Sequence, residues 1–275
     1  MIGSIIGDIV GSIYEFSNIK TKDFPLFQEQ MEYTDDSILT LATADWLMNG
    51  GDSADYYLRY AQANPYPMGS YGTMFVEWIA RASQGDIRPY GSCGNGSAMR
   101  VGPVGWCFST PEQTLDAARQ SAACTHNHPE GIKGAQAVAL SIFLAREGLS
   151  PSEIARNVNR EFGYDLSMSV DELRPRYSWH GIDGGGNGGT CQDSVPQALI
   201  CALSATGFED AVRNAISIGG DSDTIACIAG SVAEALYGIP QTIYDRGMSY
   251  LPERFKKVVK EFEEKFGGGV KKKEK

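Results

Sequence analysis

The chain is short of positive charge. Its 275 residues carry 24 Lys and Arg against 34 Asp and Glu, a formal net charge of −10, with a pI of about 4.8. That deficit argues against a nucleic-acid binder working through bulk positive charge. It leaves room for an anionic substrate held locally by loop amides and metal ions. Histidine is scarce, at three residues. The six cysteines, at 93, 107, 124, 191, 201 and 227, form no CxxC pair. These shortages argue against a zinc centre and point to reduced, buried thiols in a cytosolic protein. No stretch reaches the length of a membrane span. The opening MIGSIIGDIVGSIYEF lacks a basic start and is broken by Asp8 and Glu15, so it is not a secretory signal. A cytoplasmic protein with no membrane partner is expected, with monomer as the default. Period-two alternation is scarce too, and neither a repeat nor an internal linker is visible. The expectation is an all-α fold in one domain over 1–266, with a disordered basic tail, GGGVKKKEK, over 267–275.

Helical periods are what the sequence has in quantity. Ile2, Ile5, Ile6, Ile9, Val10 and Ile13 follow an i, i+3, i+4 template. Gly3, Gly7 and Gly11 leave a second face of nearly bare backbone, fit for close approach of another helix. Each glycine costs an isolated helix about 1 kcal/mol, so packing or function must require them. Asp8 and Glu15, seven apart, share nearly one face and hint at a site. Further helices are expected over 37–48, 54–63, 72–83, 111–124, 129–146, from 151 onward, 193–205, 209–216, 224–237 and 252–266. Thr110 caps the helix that starts at Pro111, and Ser150 with Glu153 forms a capping box. Two glycine-rich stretches, Gly91–Ser97 and His180–Gly189, read as loops.

Two helix starts carry more acid than capping needs. Tyr33-Thr34-Asp35-Asp36-Ser37 precedes one apolar helix, and Gly219-Gly220-Asp221-Ser222-Asp223-Thr224 precedes another. A cap uses about one such residue. If the two starts meet, four carboxylates converge and need protons or cations. All-oxygen ligands select a hard divalent ion, Mg²⁺, Mn²⁺ or Ca²⁺, and the set can hold two ions roughly 3.5–4 Å apart. On chemistry alone, plain capping and a dimetal site stand about level. The amides of the loop at Gly91–Ser97 suit a phosphate or diphosphate beside such a site.

The ordered motifs GSIIGDIVGSIYE, YTDDS, GNGSAMRVGPVGW, Thr125-His126, GGTCQDSVPQAL and SIGGDSDTIACIAGSVAEALYG resemble the ADP-ribosylglycohydrolase family. That family includes dinitrogenase-reductase-activating glycohydrolase and the ADP-ribosyl-acceptor hydrolases. The resemblance runs from Gly3 to Tyr237. It implies an orthogonally packed multi-helix domain with a dinuclear cleft holding two Mg²⁺ or Mn²⁺ ions. Thr34, Asp35, Asp36, Asp221, Asp223 and Thr224 would be the metal ligands, with Asp223 bridging. Glu15, Asp36 and Asp223 would carry the chemistry, Glu15 in a gating or acid–base role. Gly91, Ser92, Gly94, Asn95, Gly96 and Ser97 would hold the diphosphate and adjoining ribose, with Met99 and Arg100 supporting that loop. His126 would contact ribose or phosphate, and the glycine-rich segment before Cys191 would line the cleft near Ser222. Relatives often place an aromatic residue before GNG to stack on the ligand. Here it is Cys93, and Tyr90 is close enough in sequence to take its place.

The implied reaction is hydrolysis of an N- or O-glycosidic bond at the distal ribose of ADP-ribose. The acceptor is a modified protein or small molecule; a nucleic-acid-linked acceptor is disfavoured by the acidity. Two other readings stand beside it: a non-catalytic ADP-ribose-binding or structural protein on the same scaffold, and a metal-dependent phosphohydrolase.

Overall fold

A computed structural model of the chain describes residues 1–267. The basic tail expected over 267–275 lies outside the described residues, apart from Gly267. The elements run α1 (Ile2–Gly11), α2 (Asp35–Asn49), α3 (Ser53–Ala63), α4 (Thr73–Ala82), α5 (Gly96–Met99), α6 (Val104–Cys107), α7 (Pro111–Ala123), α8 (Pro129–Arg146), α9 (Pro151–Phe162) and α10 (Val170–Arg176). A two-stranded hairpin follows, β1 (Tyr177–Ser178) and β2 (Gly181–Ile182). Then come α11 (Cys191–Leu203), α12 (Phe208–Ile218), α13 (Ser222–Tyr237), α14 (Gln241–Ser249) and α15 (Glu253–Phe266). The all-α expectation holds, since the antiparallel hairpin pairs only Tyr177 with Ile182 and Ser178 with Gly181.

The centre of the fold is the contact between α1 and α13. Every residue of α1 is buried, as is every residue of α13 from Ser222 to Ala235. The glycine face explains the approach. A Cβ on Gly7 would stand 2.0 Å from the Ala226 carbonyl oxygen, and one on Gly3 would stand 2.4 Å from that of Gly230. Gly230 in turn has the Gly3 carbonyl oxygen at 2.3 Å from its own Cβ position. No side chain fits between these backbones. The third glycine, Gly11, has its Cβ position 2.3 Å from the Asp223 Cα, so the same groove seats the head of α13. Around this pair α2, α8, α11 and α12 complete one apolar core. A second cluster, Tyr57, Tyr71, Phe75 and Trp78 among its members, packs α3 and α4 against Leu39 and Met99.

Local signals set most helix ends. The Thr110 hydroxyl accepts from the Gln113 amide, and Ser150 and Glu153 form the expected capping box. Four helices lay outside the sequence expectation. α10 has its own capping box, Ser169 with Glu172, a signal present in the sequence but buried in a short polar stretch. α5 and α6 are single turns, too short for periodicity to register. α5 begins inside the segment expected as a loop, because the Asn95 carbonyl accepts from the amides of Ala98 and Met99. α14 was likewise not anticipated.

Candidate active site

The two acidic helix starts meet. Thr224 Oγ1 donates to Asp36 Oδ1 at 3.3 Å across 188 positions. Asp35, Asp36, Asp221, Asp223, Thr224 and Glu15 line one wall of a cleft of about 430 Å³. Oxygens of Glu15, Asp221 and Asp223 approach within 4.8 Å of one another. Burial, followed by mutual repulsion, pushes Asp35, Asp36 and Asp223 well above the usual carboxylate range. Burial and the charges of Asp221 and Asp8 push Glu15 up to about 8.

One of the acids is held away from the cleft by its neighbours. Asp8 points inward from α1 and is fully buried. It accepts from the Thr34 amide at 2.9 Å, Thr34 Oγ1 at 2.6 Å, the Ser37 amide at 3.1 Å and the Ser37 hydroxyl. Asp8 thus anchors the head of α2 and does not line the cleft. Glu15 lies past the end of α1, in the turn that follows, so the two acids do not share a helical face. Asn18 ties that turn to the head of α13. Its Oδ1 accepts from the Gly220 amide at 2.7 Å, and its Nδ2 donates to the carbonyls of Gly220 and Tyr14 at 2.9 and 2.7 Å. Trp179 Nε1, in the hairpin, donates to the Glu15 carbonyl at 3.0 Å.

The opposite wall is the glycine loop. Ser92, Gly94, Asn95, Gly96 and His126 line the cleft together with Tyr90, Met99, Arg100 and Gly189. The loop is pinned to the segment before α11: the Asn95 amide donates to the Gly189 carbonyl at 3.0 Å, and the Cys191 amide to that of Cys93 at 2.9 Å. Asn95 Nδ2 donates to Asp221 Oδ2 at 2.7 Å, which joins the two walls.

Four anticipated residues stand behind these walls. Thr34 caps α2 and gives its hydroxyl to Asp8. Ser97 donates to the Gly131 carbonyl at 2.7 Å. Ser222 accepts from Asn18 and faces Gly220. Gly91 donates its amide to Asn127 Oδ1 at 2.8 Å. None of the four lines the cleft. Conversely, the segment from Gly69 to Phe75 lines it and was not anticipated. No chemical motif marks that segment. Its one sequence trace is the Met68-Gly69-Ser70 turn, where Gly69 and Ser70 have φ of 77° and 70°.

A hard cation fits this donor set. Every donor at the acidic wall is oxygen, and two buried carboxylate oxygens, Asp36 Oδ2 and Asp223 Oδ1, have no hydrogen-bond partner among the described residues. Burying such atoms without protons or cations is costly.

Comparison with known proteins places the chain in a family. The family profile described as ADP-ribosylglycohydrolase matches residues 1–269. The chain is 29% identical to the human (Homo sapiens) "ADP-ribosylhydrolase ARH3", over 88% of this chain and 85% of that protein. It is 27% identical to "ADP-ribosylarginine hydrolase Tri1" of Pseudomonas putida (strain GB-1), over 87% and 70%. A solved "ADP-ribosylglycohydrolase-related protein complex" superposes with a TM-score of 0.68 at 24% identity, covering 96% of each chain, which bears on the fold. With its whole described length matched and both motif clusters on one cleft, the chain belongs to the ADP-ribosylglycohydrolase family of hydrolases.

Proposed function

We propose that the protein is a divalent-metal-dependent hydrolase that removes ADP-ribose from a modified protein or small-molecule acceptor. The observation that carries this reading is the cleft's polarity: a carboxylate wall faces the glycine loop, and Asn95 and Asp221 join the two. Asp35, Asp36, Asp221, Asp223 and Thr224 would hold two Mg²⁺ or Mn²⁺ ions, with Thr34 supporting the set from behind. Bound there, the ions supply positive charge that offsets the carboxylates and makes a nearby water more acidic. Thr34 and Asp8 hold the head of α2 in register with that of α13. The glycine loop from Gly94 to Gly96 and the ring of His126 would contact the diphosphate and adjoining ribose. Tyr90, whose ring meets His126 edge-on at 5.7 Å, offers the aromatic face missing at Cys93.

The reaction breaks the bond between the anomeric carbon of the distal ribose and the acceptor heteroatom. Water oxygen forms the new bond at that carbon, which carries oxocarbenium character in the transition state. The water's proton passes to Glu15 or a neighbouring carboxylate, and the departing acceptor takes up a proton. Glu15 suits proton transfer by its place, with a carboxylate oxygen within 4.8 Å of those of Asp221 and Asp223.

Calorimetric titration of ADP-ribose into the protein, with Mg²⁺ and again after EDTA, tests the reading. Metal-dependent binding, followed by release of free ADP-ribose from modified acceptors, supports it. Absence of binding with both Mg²⁺ and Mn²⁺, or inorganic phosphate as the product, sinks it.

A further inference from the structure

The glycine wall is backed by a buried cation. Arg100 is 0% exposed. Its guanidinium sits 3.9 Å from the centre of the Tyr57 ring. Nη2 donates to the Ser121 carbonyl at 2.7 Å and to Thr125 Oγ1 at 2.8 Å. Nε and Nη1 have no hydrogen-bond partner among the described residues. A guanidinium buried with donors to spare is costly, so a merely space-filling role is a poor account of it.

The hydroxyl it reaches leads to the ligand side. A threonine hydroxyl has one proton to give and two lone pairs to receive. Arginine only donates, so Arg100 occupies one lone pair of Thr125. Thr125 is fully buried, and of the two partners of its hydroxyl only His126 Nδ1, at 2.8 Å, can accept, so the proton goes there. An imidazole that accepts at Nδ1 carries its proton on Nε2 when neutral. Nε2 points at the glycine loop, 3.0 Å from the Cβ position of Gly96 and 3.6 Å from that of Gly94. A side chain at Gly96 would press on the ring.

We propose that Arg100 and Thr125 are positioning residues that fix His126 as a neutral imidazole with its proton on Nε2, aimed as a hydrogen-bond donor at a ligand oxygen held by the glycine loop. The other tautomer would present a lone pair to that oxygen and repel it. Burial and the Arg100 charge both push His126 well below its ordinary value, in keeping with a neutral ring. The ligand's identity rests on the function proposed above; the tautomer does not.

The test is nitrogen NMR of the full chain labelled at histidine. Only His126, His128 and His180 contribute, and His126→Gln assigns the ring of interest. At pH 7 the expected spectrum for His126 is the neutral Nε2–H pattern, unchanged on lowering the pH to 6. A proton on Nδ1, or an imidazolium, overturns the proposal. Thr125→Val should mix the tautomers and weaken ADP-ribose binding, measured with Mg²⁺, by roughly tenfold. Thr125→Ser should preserve both. A Thr125→Val protein with the wild-type spectrum and affinity also overturns it. A wild-type protein with the Nε2–H spectrum but no affinity for ADP-ribose would sink the functional reading and leave the positioning role standing.

Discussion

Asn95 and Asp221 lie 126 positions apart in the chain, and their side chains meet at 2.7 Å. The amide comes from the glycine loop, the carboxylate from the head of α13. This one bond ties the glycine-loop wall of the cleft to the carboxylate wall. Asn95→Ala should therefore weaken both functions. ADP-ribose affinity is expected to fall about tenfold or more, and the Mg²⁺ concentration giving half-maximal binding should rise. Calorimetry with each ligand checks this; a loss confined to ADP-ribose would mean the two walls act independently.

The repulsion among the buried acids predicts an opposite effect on stability and activity. Asp223→Asn removes one charge from a cluster that raises its own members' proton affinities. Metal-dependent turnover should disappear. The metal-free protein should become more stable by about 1 kcal/mol, a rise in Tm of roughly 2–4 °C. The upward Tm shift of the wild type on adding Mg²⁺ should be lost as well. Thermal melts in EDTA and in Mg²⁺ measure the two stability effects and an assay of ADP-ribose release the turnover; a destabilised variant that still turns over substrate would refute the assignment.

Without metal, stability should fall as pH rises. Glu15 is raised from 4.5 to about 8 and Asp8 from 3.8 to about 6. Between their unfolded and folded values the native state holds protons that the unfolded chain has released. The slope of unfolding free energy against pH is then negative. This contribution is complete below about pH 4 and lost as pH passes about 6 for Asp8 and about 8 for Glu15. Divalent ions compete with those protons, so Mg²⁺ should stabilise more at pH 8 than at pH 5. Melts across that range, with and without EDTA, give the sign directly.

Gly69 controls the space available to Glu15. A Cβ there would stand 2.7 Å from Glu15 Oε2, on a backbone with φ of 77°. Gly69→Ala should displace the Glu15 carboxylate and lower kcat by about tenfold to a hundredfold, within the range of an acid–base contribution. Mg²⁺-dependent ADP-ribose binding should change much less. Equal losses in both would place Glu15 among the principal metal ligands instead.

The sequence by itself determined the longer helices, the glycine face and the two acidic helix starts. These are local properties: the period of Ile2 to Ile13, the caps at Thr110 and Ser150, and two acids where one cap suffices. Gly3, Gly7 and Gly11 even announced that a backbone would come close. Only tertiary structure decided which backbone it was, namely α13, and hence that Gly11 seats the Asp223 main chain. It also separated the roles within each motif. Asp8 and Thr34 turned inward to hold a helix head, because α1 is buried on all sides and leaves Asp8 no path to solvent. Asn18, Trp179 and the Gly69–Phe75 wall carried no readable signal, since their parts depend on partners scores of residues away. A carboxylate's chemistry is written in its residue type. Whether it becomes an anchor, a ligand or a proton carrier is set by the donors, charges and space that the folded chain brings to it.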